Sequence, residues 1–464
     1  MSSRRHLALL ALVLALLATA CASSAGGRSD ETADDSAGPT PVSPPDPTPT
    51  PVEQSDSDGD EEATTGGGDS ERIAIQTEAS TLLTVRPDGS EPIPLSPDDN
   101  RLHQQPTWAP DGSRIAWTSV EAESGTTALA ASRFDGTGAY ETETEGAASA
   151  LAWDPSSSQL AYVASVPIGL RLATVDIASQ LPELPIDSGQ PYWFAWGPGG
   201  DELFVHASGF RLDRVALDGT TVVIDSEAGE FQAPVWVDAE RSLLFADSVD
   251  GVDTLVSTGD QGEGRLPIAT FDGYLQFVVN PDSNQVAMQV RDEPPAAIPD
   301  VITASFQPDE PIDPVDQLPR DLLFVMAVYG GAPFVIDTAP ADAFFWSADG
   351  GTLAYLVQVT AGEEPWYEWR FFRAATGSTV TSPLFRPTSV FLDVYVPAFD
   401  QYATDVQFFS PAGDQFVYTG EALTGEDGVW VFALDGDGDP ELIADGELAT
   451  WSPGPAGGSA SIIP

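Results

Sequence analysis

The stretch "PTWAPDGSRIAWTS", residues 106–119, places a tryptophan two residues before a Pro-Asp-Gly turn and follows the turn with a short apolar segment. Proline presets φ for such a turn and glycine supplies its positive-φ position, so the sequence reads strand, tight turn, strand. The same sentence returns as "LAWDPSSSQLAYVAS" from Leu151, "FAWGPGGDELFVHAS" from Phe194 and "PVWVDAERSLLFADS" from Pro234. Looser copies start at Phe277, Phe344 and Gln407, and a truncated "ATWSPG" starts at Ala449. The residues that anchor the copies are Trp108, Trp153, Trp196, Trp236, Val279, Trp346, Phe409 and Trp451, spaced by 45, 43, 40, 43, 67, 63 and 42 residues. Five of the seven spacings match the period of about 40–45 residues carried by four-stranded propeller blades. Alternation as in "DELFVHAS", with Gly- or Asp-bearing turns about every dozen residues, argues antiparallel strands and leaves hardly any helix-period segment.

The last copy stops at "WSPG" with no strand after it, whereas "RIAIQTEASTLLTVRPDGSEPIPLS", residues 72–96, begins at the strand that ought to follow such a turn. The expectation is an all-β, eight-bladed β-propeller closed by pairing of its N- and C-terminal strands, since closure removes the exposed edges of an open array. Seven blades is the alternative if the unit at Val279 or Phe409 is not a full blade. The anchor aromatics read as core wedged between blades. The repeat resembles the W-S-P-D-G-x-x-I-A-F unit of TolB-type, WD40-like bacterial propellers, and the resemblance covers nearly all of residues 72–454. It implies an exported, non-enzymatic protein engaged in protein contacts in the cell envelope. The same repeat also forms the gating propeller of prolyl-oligopeptidase-like peptidases, whose hydrolase domain would follow it.

Residues 1–20, "MSSRRHLALLALVLALLATA", have a basic start at Arg4 and Arg5, an apolar run from Leu7 to Leu17 and a small-residue end, which is a signal peptide. Cys21, the only cysteine in the chain, follows at once and resembles the acylated cysteine of bacterial lipoproteins, with Ala18 where leucine is usual. The resemblance implies a lipid anchor and an extracytoplasmic location. Residues 21–71 are Pro, Ser, Thr, Gly and acid with almost no aromatic, a composition that cannot bury a core and reads as a disordered tether. The propeller is expected over 72–454 and a tail over 455–464.

Charge excludes more than it assigns. Against 72 Asp and Glu stand 18 basic residues, all arginine, for a net charge of −54. A field of that sign repels phosphate backbones, so nucleic acid is not a partner. Without lysine there is no P-loop and no Schiff base. A single cysteine gives no thiolate zinc site. His103, in "NRLHQQP", reads as solvated, and His206, within "ELFVHAS", as structural. The remaining chemistry is carboxylate. Asp435, Asp437 and Asp439 in "DGDGDPE" alternate as calcium ligands do, yet they occupy a hairpin position shared by every repeat and lack the spacing of an EF-hand. No cofactor is expected, calcium being the ion this set would take.

Two long spacings hold insertions, 291–320 between the second and third strands of one unit and 386–403 after the last strand of the next. Both connection types emerge on one propeller face, so the two loops are expected to form a continuous rim. Between them "WYEWRFFR", residues 366–373, sets Trp366 and Phe372 on one face of a strand and Tyr367, Trp369 and Phe371 on the other. Trp366, Tyr367 and Trp369, with Phe391, Tyr395 and Phe399 from the second insertion, form the candidate partner-binding set. The function expected is a monomeric, lipid-anchored binding or scaffolding module for an envelope protein or peptide. A calcium-dependent propeller hydrolase or a carbohydrate-binding propeller is the alternative.

Overall fold

The computed structural model describes residues 71–454, apart from 292–317, Ile168, Pro191, Pro319 and short segments at 229–232, 238–240, 250–251, 282–283, 361–364, 403–404 and 436–437. Among the described residues, six four-stranded antiparallel sheets follow one another along the chain, and a seventh, larger sheet spans 343–444. The second sheet shows the unit: Arg101–Trp108, Arg114–Glu121, Thr127–Arg133 and Tyr140–Glu143, each paired with the next. The first strands of successive sheets pack on one another, as Arg101–Trp108 does on Ala147–Trp153 and the latter on Tyr192–Trp196. The sheets are therefore arrayed around an axis with their first strands innermost.

The first sheet is assembled from both ends of the chain. Ile73–Gln76 pairs antiparallel with Leu82–Val85 on one side and with Leu448–Trp451 on the other, Ile73 opposite Trp451 and Gln76 opposite Leu448. In the large sheet, Phe385–Pro387 stitches two units together, pairing through Phe385 with Tyr367 and along Glu421 with Gln415–Ala422. The Phe409 copy of the repeat is reduced to a single bridge to Phe416.

The anchor tryptophans do more than fill space. Trp153 donates its indole N–H to the carbonyl of Thr107 at 3.0 Å, Trp196 to Ala152 at 3.0 Å, Trp346 to Val278 at 3.2 Å and Trp108 to Thr450 at 3.2 Å. Each acceptor is the residue just before the anchor of the preceding sheet, so the repeat encodes both the wedge and an inter-sheet hydrogen bond. Trp108 extends the pattern across the joined termini. Replacing Trp153 with Phe keeps most of the apolar contact and removes the donor, leaving the buried Thr107 carbonyl without it. The expected loss is about 1–3 kcal/mol, measured by urea unfolding.

The turn glycines have two reasons to be glycine. Gly112 and Gly350 take φ of +69° and +65°, and a Cβ on them would come within 2.6 Å of the Pro453 carbonyl oxygen and of the Asn280 amide of the neighbouring sheet's turn. Asn280 Nδ2 in turn donates to the Gly350 carbonyl at 3.1 Å. The turns after the anchors thus interlock from sheet to sheet.

Arginines tie the sheets along their outer parts. Arg265 in the fifth sheet reaches Asp225 of the fourth at 2.5 Å and also pairs with Asp247. Arg214 reaches Asp260 at 2.6 Å, and Arg370 of the large sheet reaches Asp337 of the sixth at 2.5 Å. Carboxylates outnumber these partners, and Asp253 shows the consequence. Burial, then the nearby charges of Asp272 and Asp247, push its carboxyl up to about 6. An acid whose folded value lies above its unfolded value of about 3.9 binds more protons when folded, so it lowers stability as pH rises from about 4 to 6 and keeps that penalty above. Asp253→Asn is therefore expected to raise stability at pH 7 by on the order of 1 kcal/mol and to change it little at pH 4, read from thermal melts at the two pH values.

Candidate functional site

The site predicted from sequence falls on the strand Tyr367–Arg373 and on the insertion that follows it. On the strand, Tyr367, Trp369 and Phe371 point inward and are buried, as strand alternation requires, while Glu368 and Arg370 face outward with the half-buried Trp366 nearby. Trp366 lies under the Arg386 guanidinium, 4.1 Å from its ring centroid. This cation–π contact is the one partly exposed piece of the predicted set.

The insertion 386–403 does not form an outer rim. A short π-helix, Phe391–Tyr395, and a single turn of α-helix, Phe399–Tyr402, carry it inward. Phe391, Tyr395 and Phe399 are buried at 5%, 3% and 2% exposure. Phe399 packs on Phe344 and Phe345, with ring centroids at 4.6 and 5.8 Å, and Phe391 packs on Trp369 and Phe408 at 5.9 and 5.8 Å. The helical turn also touches Tyr274–Val279, the inner strand of the sixth sheet. Its Gln401 reaches the fourth sheet, donating Nε2–H to the Phe194 carbonyl at 3.0 Å while accepting the Phe194 N–H on Oε1 at 3.1 Å. The side-chain amide thus pairs with a strand edge as another strand's peptide group would. Inner strands of the fourth, sixth and large sheets converge on this segment, so the insertion occupies the axis.

The expectation that Tyr367, Trp369, Phe391, Tyr395 and Phe399 form an exposed contact patch is corrected accordingly. Burying large aromatic rings yields more than leaving them in water, and the inner strands offer an apolar wall to receive them, while the Gln401 amide meets the Phe194 peptide group. No sequence signal reported Gln401. A lone glutamine in an aromatic insertion has no periodicity to betray it.

The other expected residues are placed as follows. Asp435 and Asp439 are exposed, and Asp437 and Cys21 lie outside the described residues, as does nearly all of the insertion 291–320. Among the described residues, no three His, Cys, Asp or Glu side chains gather closely enough to hold a metal ion. His103 is buried rather than solvated: Nδ1 accepts the Trp117 indole N–H at 3.1 Å, and Nε2 donates to Asp99 at 3.2 Å. Burial lowers its affinity for a second proton, against the pull of Asp99. That arrangement orients a neutral imidazole as a structural bridge. His206 is fully buried in its strand. Among the described residues, no helix is long and apolar enough to cross a membrane.

No family model matches the chain, and no curated protein matches it. Similar solved structures include a eukaryotic initiation factor, 9% identical over 83% of this chain and 99% of that one, with a TM-score of 0.49. The β-propeller domain of the Trilobed protease from Pyrococcus furiosus is 9% identical over 75% and 99% of the two chains, with a TM-score of 0.45. TolB from Acinetobacter baumannii is 14% identical with a TM-score of 0.38, covering 82% of this chain and 66% of that one. The repeat along this sequence and its train of four-stranded antiparallel sheets around an axis make the fold a β-propeller.

Proposed function

We propose that the chain is an exported, lipid-anchored propeller of eight blades that serves as a binding or scaffolding module for an envelope protein or peptide. In this reading residues 1–20 are the signal peptide, Cys21 the acylated anchor, 21–71 the tether, 72–454 the propeller and 455–464 the tail. Eight blades follow if the large sheet is two blades sewn together by Phe385–Pro387, and the pairing of Ile73–Gln76 with Leu448–Trp451 supports a closed ring.

The observation that carries the binding reading is the filled axis. Phe391, Tyr395 and Phe399 are packed there and Gln401 is clamped to Phe194, so the centre is structural and recognition is left to the rim and faces. Loops and strand edges on a rigid scaffold suit that role.

Two measurements test the reading. Cys21→Ser is expected to release the protein from membranes into the soluble fraction, because a lipid chain is the anchor proposed. Cross-linking of the anchored wild type in its own membranes is expected to yield one saturable partner. Unchanged membrane retention of the variant removes the anchor, and the absence of any saturable partner removes the scaffold.

A further inference from the structure

A groove of about 510 Å³ runs along the outer part of the molecule where the sixth sheet meets the large one. One wall is Val335, Ile336 and Asp337 of the strand Phe334–Asp337, with Thr338 after it. The other is the outward face of Tyr367–Arg373 and Ser378–Thr381, contributing Glu368, Arg370, Thr379 and Thr381, over a floor that includes the buried Tyr355. It is an open surface groove rather than an enclosed cavity.

The chemistry of the walls is polar and internally balanced. Arg370 holds Asp337 at 2.5 Å and Glu368 at 2.8 Å, and the Tyr355 hydroxyl donates to Asp337 at 3.0 Å. Burial raises the Asp337 carboxyl, but the Ala339 amide, Arg370 and Tyr355 outweigh it and hold the group below its ordinary value. The Asp337 carboxylate therefore remains charged, and Arg370 locks it and Glu368 together. They present spare lone pairs and N–H groups in fixed directions with one net negative charge among them. Three exposed threonine hydroxyls add donors and acceptors along the lips.

The Thr379 end is apolar. Phe372, the register partner of Thr379, packs against Phe334 with ring centroids 6.0 Å apart, and Phe334 remains 58% exposed. Val335, beside it and lining the groove, is 42% exposed, and Tyr329 of the preceding hairpin is 66% exposed. Both carboxylates are already engaged by Arg370, so neither is left unpaired for a cation, and an anion is opposed by the groove's net charge and by the −54 of the chain. The ligand that matches is uncharged, carries many hydroxyls that both donate and accept, and has an apolar face to lay on a ring.

We propose that this groove between the sixth sheet and the large sheet binds a neutral oligosaccharide, with Glu368, Arg370 and the threonine hydroxyls meeting sugar hydroxyls and Phe334 taking the apolar face of a sugar ring. The site goes beyond the scaffolding role and is independent of it, because neither the anchor nor a protein partner enters its chemistry.

The test titrates the mature chain with cellotetraose, maltotetraose and chitotetraose, and with tetragalacturonate as the anionic counterpart, followed by calorimetry and ligand-observed NMR. At least one neutral tetrasaccharide is expected to saturate in the millimolar range, while tetragalacturonate does not bind. Phe334→Ala and Thr381→Ala, both at exposed positions, and Glu368→Gln are each expected to weaken binding roughly tenfold, with melting temperatures confirming that the proteins are folded. Leu442→Ala, an exposed apolar position on another strand, is expected to leave binding unchanged. The proposal fails if no neutral tetrasaccharide saturates the wild type, if tetragalacturonate binds as well as the neutral sugars, or if the folded variants bind like the wild type. A protein cross-linked at Phe334 in a chain that binds no sugar would assign the groove to a protein interface and overturn it too.

Discussion

Deleting residues 448–464 is expected to abolish cooperative unfolding of the whole domain, or to lower its melting temperature by more than ten degrees. The deletion removes the strand Leu448–Trp451, of which Leu448, Ala449 and Trp451 are each no more than 1% exposed. It also removes the carbonyl that accepts the Trp108 indole N–H and the Trp451 amide that bonds the Gln407 carbonyl at 2.7 Å. Arg72 and Ser452, which exchange backbone and side-chain hydrogen bonds, are separated as well. Losing a buried tryptophan costs about 3–5 kcal/mol, and several buried hydrogen bonds add about 1 kcal/mol each. Against a net stability of about 5–15 kcal/mol that sum decides whether the domain folds. The freed edge of Ile73–Gln76 would also become a template for association. A truncated protein that melts with the intact one in a calorimeter would show that the terminal pairing bears no load.

The second large effect lies on the axis. Phe399→Ala is expected to cost about 3–5 kcal/mol, because the ring is 2% exposed and rests on both Phe344 and Phe345. Gln401→Ala is expected to cost about 1–3 kcal/mol, since it strands the N–H and the C=O of Phe194 in a buried place. The two residues belong to one helical turn and hold opposite sides of the axis, so their effects should couple in a double-mutant cycle. Urea denaturation of the four proteins reads both quantities. Should Phe399→Ala unfold at the wild-type urea concentration, the insertion is a detachable lid and the axis is open to ligands after all.

These two expectations differ in how much of them the residues announce in advance. The array of four-stranded sheets is legible because its signals are local. Trp108 before Pro110 and Gly112, then "RIAW", already specifies a strand, a turn and a strand, and repetition near 43 residues specifies that each unit leans on the next. The pairing of the termini is legible from a missing strand at one end and an orphan strand at the other. The hydrogen bond from each anchor indole to the preceding sheet lies one level further, since it depends on how far neighbouring sheets are rotated about the axis.

The candidate site was less legible, and the reason is physical. Alternation in "WYEWRFFR" separates Tyr367, Trp369 and Phe371 from Glu368, Arg370 and Phe372, but aromatics on both sides leave undecided which face is interior. Insertion length shows that 386–403 departs from the repeat without showing its direction. That direction is set by contacts far away in sequence: Gln401 meets Phe194 across 207 positions, and Phe399 meets Phe344 on the first strand of the unit that the insertion follows. The amino-acid sequence by itself determined the all-β repeat, its turns and its joined ends, because those follow from local φ preferences and period-two patterning. Only the tertiary structure decided that the aromatic insertion fills the axis and leaves the outer groove at Val335 and Arg370 open. Burial is a property of the assembled surface, not of the residues that supply it.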